Sequence, residues 1–136
     1  DEAYLKYYTS LSLDIKQKIK SFENVPFKQL LLLIRGAKLS VYPSSAEGFG
    51  IPPLETIATK TPTICANETA MSDFTFLAEN LVSLKDVKAF QQEISNAINH
   101  PEEEDSLVKK AAFVKENYNW QIAAQIFINS LKLTQA

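Results

Sequence analysis

Residues 39–55 of this 136-residue chain are LSVYPSSAEGFGIPPLE. The apolar run Leu39–Tyr42 is typical of a short buried strand, and Pro43 ends it. The loop Ser44–Gly50 follows. Pro52 then favours a helix start, because a proline in the first helical turn removes no hydrogen bond that the helix needs. The segment therefore predicts a strand, a loop and a helix in that order.

Glycine and proline are concentrated in this one region. The chain has 3 glycines, of which two are Gly48 and Gly50, whereas average usage predicts roughly nine or ten. Of the 6 prolines, Pro43, Pro52 and Pro53 lie in the same neighbourhood. Because these two residue types provide backbone geometries that others avoid, their concentration directs the search for function to this loop.

The rest of the chain predicts strands that alternate with helices. Short apolar runs predict two more strands, at Thr63–Ala66 and Leu81–Leu84. Apolar residues at helical spacing predict helices over residues 2–22 with a break near Leu11, over Phe27–Arg35, over Pro52–Lys60, over Val87–Asn99 with Asp86 as N-cap, from Pro101, and from Trp120. The segment Phe22–Val25 is ambiguous, with a brief strand as one alternative. Continuously apolar strands between helices are typical of a parallel α/β sheet.

The loop lies where such sheets bind ligands, beyond the carboxyl end of a strand. Glycine amides can approach a ligand closely, and a helix start favours an anion such as phosphate. Glu47 lies in the loop and Glu55 about one turn into the helix. Carboxylates beside a phosphate site suit a sugar phosphate, because they bind hydroxyl groups or stabilise positive charge at an anomeric carbon. An ordinary strand-to-helix turn with acidic residues near a helix start is the alternative.

Composition excludes several classes of function. The net charge of -2 and the pI of about 5.4 provide no basic stripe for a nucleic acid, so no nucleic-acid partner is expected. The single cysteine, Cys65, and the single histidine, His100, exclude an intrachain disulfide and metal sites built from several cysteines or histidines. No apolar run approaches the ~20 residues that span a bilayer, and no signal peptide is evident, so we expect a cytoplasmic protein.

Four other polar residues have weaker interpretations. We expect Cys65 to be a core residue and His100 to cap a helix or lie in a solvated turn. Thr69 and Asp73 follow a strand end, where they either line the crevice or cap a helix.

The segment Glu47–Glu55, EGFGIPPLE, resembles the signature of glycosyltransferase family four, whose members are nucleotide-sugar transferases with the two-Rossmann GT-B architecture. In that signature two glutamates are separated by seven residues. Residues 35–37 before the first strand, residues 61–62 before the second and residues 118–120 near the C-terminus also resemble the family. The resemblance extends from about Val25 to Trp120.

The resemblance implies an incomplete Rossmann-like parallel sheet flanked by helices, the C-terminal half of a GT-B glycosyltransferase. It implies a hexosyl-type enzyme that transfers a sugar from a nucleotide-diphosphate sugar to an acceptor with retention, without a metal or another cofactor. Glu47 would be the catalytic carboxylate beside the donor sugar, and Glu55 would bind the ribose of the nucleotide. The donor sugar and diphosphate would contact Gly48, Phe49, Gly50 and Ile51.

The resemblance is incomplete in two respects. Lys60 stands where the family commonly has glycine, which leaves the shape of that turn open. The family's phosphate-binding arginine and lysine, and the strand that precedes them, have no counterpart before Val25. We therefore expect residues 1–136 to form a single nucleotide-sugar-binding domain that lacks its first strands and the N-terminal acceptor domain and is inactive alone. A sugar, lipid-linked or polysaccharide acceptor would bind that missing domain, in the cytoplasm or at the inner membrane face.

Two further alternatives concern assembly and activity. In the Rossmann strand order 3-2-1-4-5-6, Leu39–Tyr42 corresponds to the fourth strand, whose neighbour is missing. The resulting apolar edge predicts either a dimer formed through that edge or a fragment of a longer polypeptide. The alternatives to an enzyme are a non-catalytic binding or interaction module with this fold and a purely structural α/β domain.

Overall fold

A computed structural model describes residues 2–133, and their contacts divide into two units, one up to Leu30 and one from Leu31 onward. The first unit contains helices α1 (Glu2–Ser10) and α2 (Leu13–Lys18). Helix α3 (Phe27–Gly36) begins in the first unit and continues in the second. A single domain over residues 1–136 stays a prediction.

In the first unit the predicted helices are confirmed, but they end earlier than the predicted residue 22. The break near Leu11 is present, but α2 ends at Lys18 because Ile19 has extended backbone angles (φ -94°, ψ 126°). The brief strand considered at Phe22–Val25 does not form, and Asn24 has a positive φ of 53°.

The second unit contains a parallel sheet of strands β1 (Ser40–Tyr42), β2 (Thr63–Ala66) and β3 (Leu81–Val82) in the order β1-β2-β3. Val41 is opposite Ile64. The predicted α/β class and parallel sheet are confirmed, and the consecutive order is that of strands 4, 5 and 6 in a Rossmann sheet. Within the described residues β1 lies at an edge of the sheet; pairing of that edge with a second chain stays a prediction.

Helices and short 3-10 segments flank this sheet. The helices are α4 (Ile51–Ala58), α5 (Val87–Asn99), α6 (Glu104–Asn117) and α7 (Trp120–Leu133). Two 3-10 segments that the sequence analysis did not predict are η1 (Thr69–Asp73) and η2 (Thr75–Asn80). In the part of the chain that the structure describes, no helix is long and apolar enough to cross a membrane.

The predicted end of β3 and the predicted start of α6 are wrong. Strand β3 ends at Val82, because Ser83 starts a turn in which its carbonyl accepts the Asp86 amide at 3.3 Å. Helix α6 begins at Glu104 instead of Pro101, because Glu103 has extended angles (φ -64°, ψ 144°). The Glu102 carboxylate just before this helix pairs with the Lys110 ammonium at 2.6 Å.

Both ends of α5 agree with the sequence analysis. The Asp86 carboxylate accepts the Ala89 amide at 2.9 Å, as an N-cap does. His100 is the C-cap, and its amide donates to the Asn96 carbonyl at 2.8 Å.

The core lies where α4, α6 and the 3-10 segments pack on β2. Its buried apolar residues are Leu54, Ile57, Cys65, Ala66, Met71, Phe74, Leu77 and Val114. Between α4 and β2 the buried Thr56 and Thr63 hydroxyl oxygens lie 2.8 Å apart. They also lie 2.8 Å from the Pro53 carbonyl and 2.9 Å from the Thr61 carbonyl, respectively. Burial of these hydroxyls is therefore compensated by hydrogen bonds.

The turn after α4 contains a left-handed residue that is not glycine. Lys60 has a φ of 65°. Its amide donates to the Ile57 carbonyl at 2.9 Å, and the Thr61 amide donates to the Thr56 carbonyl at 3.1 Å. This pair of hydrogen bonds is the Schellman motif, whose left-handed position usually holds glycine. The substitution of lysine for the family's glycine thus leaves a left-handed residue at this position.

Lys60→Gly should raise the free energy of unfolding by about 0.5–1 kcal/mol, because glycine adopts this φ without the steric cost that a Cβ brings. Chemical denaturation measures the change. Lys60→Ala is the control, since it removes the charge and keeps the strain. Equal stability of the glycine and alanine variants would contradict the interpretation.

Cys65 is fully buried in β2, and burial raises the pKa of its thiol from 9.0 to about 12. The prediction of a core cysteine is confirmed. The thiol is protonated at neutral pH, and the thiolate is the nucleophilic form of cysteine. Cys65 is therefore unsuited to nucleophilic chemistry.

This burial predicts a loss of stability at alkaline pH. The unfolded thiol ionises above pH 9, whereas the folded thiol stays protonated until about pH 12. The unfolded chain thus binds fewer protons in this window, and stability falls by up to ~1.4 kcal/mol per pH unit as pH rises. In urea unfolding from pH 8 to pH 11, Cys65→Ala should show a shallower decline than the unsubstituted chain. The tyrosines are present in both proteins. Loss of Cys65 also removes its contribution to the raised pKa of Tyr42, which makes the decline shallower still, so identical slopes would refute this assignment.

Candidate functional site

The loop between β1 and α4 lies at the carboxyl end of the sheet, and a hydrogen bond connects it to the segment that follows β2. The Glu47 amide donates to the Thr69 hydroxyl oxygen at 3.0 Å, and Thr69 is the first residue of η1. Glu47 is half-buried, and so is Glu55 on α4. Thr69 does not cap η1, because the N-cap is Glu68, and its hydrogen bond with Glu47 places it beside the loop; a place in the crevice stays a prediction.

Gly50 ends the loop in a conformation that only glycine adopts readily. Its φ is 89°, and the residue is buried. A Cβ here would lie 3.0 Å from Met71 Cγ and 3.0 Å from Phe74 Cε2. Gly48 differs, since a Cβ there would meet no described atom within 4 Å. The fold thus requires glycine at position 50 and permits a side chain at position 48.

The start of α4 offers fewer amide donors than the sequence analysis expected. Gly50 is the N-cap and the helix begins at Ile51, one residue before Pro52. Pro52 and Pro53 have no N–H group, and the Leu54 amide already donates to the Gly50 carbonyl at 3.5 Å. The amides that remain at this helix start are those of Gly50 and Ile51. An anion here would therefore be bound by loop amides together with these two.

Aromatic contacts hold Phe49, an exposed residue near the end of the loop. The Phe49 ring lies edge-on to Tyr118, with 6.0 Å between ring centroids. Tyr118 also lies 5.9 Å from Phe74 and 6.2 Å from Phe76. Burial raises the Tyr118 pKa, and the Asp73 charge raises it further, so its hydroxyl is protonated at neutral pH. Tyr118, from the C-terminal step of the resemblance, therefore packs against the signature.

A cavity of about 670 Å³ lies beside α4 and the beginning of α7. It brings together three of the predicted donor-binding residues, Phe49, Ile51 and Glu55, with Tyr118 and Trp120. Of the described residues that line it, only Glu55 carries a carboxylate. Glu47, Gly48 and Gly50 do not line this cavity. The site thus consists of a loop at the carboxyl end of the sheet and an apolar cavity with one carboxylate.

Tyr42, at the carboxyl end of β1, is a residue of this region that the sequence analysis did not single out. Burial raises its pKa, Thr56 partly offsets this effect, and Cys65 and Glu55 raise the pKa further. Its hydroxyl is therefore neutral and close enough to Glu55 to respond to that charge. The position of Tyr42 directly before the loop was the available signal in the sequence.

Gly50→Ala should lower the free energy of unfolding by about 2 kcal/mol or more, because the new Cβ is both strained by the positive φ and too close to Met71 and Phe74. Gly48→Ala is the matched control and should change stability by less than about 0.5 kcal/mol. Thermal and chemical denaturation of both variants compare them directly. Similar losses of stability in the two variants would contradict the conclusion that position 50 requires glycine and position 48 does not.

Comparison with known proteins gives a family. The family described as Glycosyl transferases group 1 matches residues 1–113. The O-antigen chain mannosyltransferase RfbU of Salmonella typhimurium is 35% identical over 86 residues, which cover 63% of this chain and 24% of that protein. The O-antigen chain mannosyltransferase B of Escherichia coli is 28% identical over 109 residues, which cover 80% of this chain and 29% of that protein. No solved structure gives a significant match.

The family match covers most of the chain and contains the whole signature. The match begins at residue 1 and ends at residue 113, whereas the resemblance extended from Val25 to Trp120, so the step at residues 118–120 lies outside it. The alignments span about a quarter of the length of the two mannosyltransferases. With its partial Rossmann-like sheet and the Glu47–Glu55 segment inside the matched region, the chain belongs to the glycosyl transferases of group 1.

Proposed function

We propose that this chain forms the donor-binding part of a retaining glycosyltransferase of family four, which transfers a sugar from a nucleotide-diphosphate sugar to an acceptor. The observation that carries the proposal is the signature Glu47–Glu55, which is folded at the carboxyl end of β1 and contributes Glu55 to a cavity. Ligands of open α/β sheets bind at this end of the strands. Membership of the family supports sugar transfer as the reaction.

Glu55 is the proposed anchor of the nucleotide. Its half-buried carboxylate faces a cavity whose other walls are largely apolar, and both Phe49 and Trp120 line it. Ribose hydroxyls donate hydrogen bonds to a carboxylate, and such charged hydrogen bonds are stronger than neutral ones. The flat faces of a base fit against aromatic side chains. This combination suits a nucleoside better than a free sugar.

The loop is the proposed site of the diphosphate and the sugar. Because Pro52 and Pro53 supply no amide, the diphosphate would be bound by the amides of Gly48, Phe49, Gly50 and Ile51, with the positive end of the α4 dipole behind them. Glu47 would lie beside the anomeric carbon. As the bond to the diphosphate breaks, its carboxylate would stabilise the positive charge that develops on the sugar. The proposed reaction uses no metal ion or organic cofactor.

The names of the two relatives support a more specific substrate. Both are O-antigen chain mannosyltransferases. We propose that the transferred sugar is mannose and that the acceptor is a growing polysaccharide or its lipid-linked precursor. The acceptor would be bound outside the residues that form this donor site.

Glu55→Ala should weaken nucleotide binding by about 10- to 100-fold, which corresponds to the loss of one or two hydrogen bonds to a charged group. Ligand-observed NMR against UDP, GDP, ADP and their sugars measures binding to this chain and identifies the base. Glu104→Ala, an exposed carboxylate in the first turn of α6, is the charge-matched control and should bind as the unsubstituted chain does. An unchanged affinity in Glu55→Ala would remove Glu55 from the nucleotide site.

Glu47→Ala separates the reacting carboxylate from the nucleotide anchor. It should leave nucleotide diphosphate binding within about twofold and abolish transfer by the intact glycosyltransferase. Nucleotide binding without any transfer by the unsubstituted intact protein would favour the non-catalytic binding module. Unchanged transfer by Glu47→Ala would refute the catalytic role.

A further inference from the structure

The 3-10 segment η1 and the Phe74 that follows it contact both ends of the loop segment Glu47–Gly50. At the first end the Glu47 amide donates to the Thr69 hydroxyl at 3.0 Å. At the second end Gly50 lies against Met71 and Phe74, so closely that a Cβ would be 3.0 Å from each side chain. The four loop residues Glu47–Gly50 are therefore held at both ends by one short segment, residues 69–74, that follows β2.

Thr69 forms its contact from a strained backbone conformation. Its φ is 47°, in the left-handed region that β-branched residues avoid. The Ser72 hydroxyl donates to the Thr69 carbonyl at 2.6 Å, which helps to hold this conformation. Glycine or asparagine would adopt the same φ more readily. Neither provides a hydroxyl at this position.

Stability alone does not account for threonine here. Thr69 is exposed, and an exposed hydrogen bond contributes little to folding because water competes for both partners. The bond does fix the backbone of Glu47. It also occupies the Glu47 amide, which leaves the amides from Gly48 onward for a ligand. Strain that stability does not explain is a common property of functional sites.

We propose that Thr69 is a positioning residue for sugar transfer: it holds the backbone of Glu47 so that this carboxylate meets the anomeric carbon of the donor. The role rests on the proposed function of Glu47 and extends it to a residue outside the signature. Thr69 acts through Glu47 and touches no reacting atom.

Three substitutions separate the hydroxyl from the strain. Thr69→Val keeps the shape and the β-branch but removes the hydroxyl, whereas Thr69→Ser keeps the hydroxyl. Thr69→Gly removes the hydroxyl and relieves the strain. If Thr69 has only a structural role, stability and function should change together in these variants. A positioning threonine predicts that the glycine variant has an equal or higher Tm while the loop and the reaction are impaired.

The first measurement needs no ligand and uses this chain. In the valine and glycine variants the Glu47 amide should exchange with solvent roughly fivefold faster, the factor that corresponds to one net hydrogen bond, and NMR relaxation should show residues 46–50 more mobile. The serine variant should behave as the unsubstituted chain. Unchanged exchange and mobility in both the valine and glycine variants would overturn the inference.

The second measurement addresses the reaction, with GDP-mannose, UDP-glucose and ADP-glucose as probes. In the intact glycosyltransferase, Thr69→Val should lower kcat about tenfold or more with less than about threefold change in KM, and Thr69→Ser should restore kcat. A kcat of the valine variant equal to that of the unsubstituted enzyme would overturn the positioning role. If the unsubstituted chain binds none of the probes and the intact protein transfers no sugar, the proposed function fails and the role in transfer fails with it. The exchange rates of Glu47 still show whether Thr69 holds the loop.

Discussion

Gly50 joins the loop to the core, because its left-handed backbone lies directly against the side chains of Met71 and Phe74. The chain passes from the loop into α4 at this residue, which is the N-cap of the helix. With no Cβ in the way, the helix start approaches η1, and Leu54 and Ile57 of α4 are buried in the core. If the contact were lengthened, the helix and the loop would both move away from the carboxyl ends of the strands.

The hydroxyl groups between α4 and β2 fix the other side of the same helix. Thr56 and Thr63 form a buried pair, and the Thr61 hydroxyl donates to the Ile34 carbonyl at 3.0 Å near the end of α3. Among the described side chains no buried polar atom lacks a hydrogen-bond partner. Polar groups that are fully paired specify one arrangement, because any shift of the helix would leave a buried hydroxyl unpaired. The loop thus extends from a helix that is fixed both by apolar packing and by directional bonds.

The sequence predicted the elements of this arrangement better than their contacts. The apolar runs of β1 and β2, the Asp86 cap and the glycine-containing loop are local signals, and the structure confirms them. The segments η1 and η2 were missed because they are short and each contains only one buried residue, Met71 or Leu77, from which no period can be read. The predicted start of α6 was wrong because the extended backbone angles of Glu103 were not visible in the residue pattern.

The same limit applies to the candidate site. The sequence located Glu47 and Glu55 through the spacing of the signature, and Gly48 and Gly50 through their rarity. It did not show that the two glycines differ, because that difference lies in Met71 and Phe74, residues that reach Gly50 only after folding. The partner of Glu47 is 22 positions away in the chain. The importance of the positive φ and the hydroxyl of Thr69 could be seen only after folding had placed this residue beside the loop.

The contact of η1 with both ends of the loop has a consequence for engineering. The conformation of the signature depends on residues outside it, so the signature alone should not be transferred from one group 1 glycosyltransferase to another. A chimera that receives only residues 43–55 would place this loop against whatever residues the recipient has at the positions of Thr69, Met71 and Phe74, and those residues pack against a different loop. A graft of residues 43–76 carries the loop together with the surface against which it is formed.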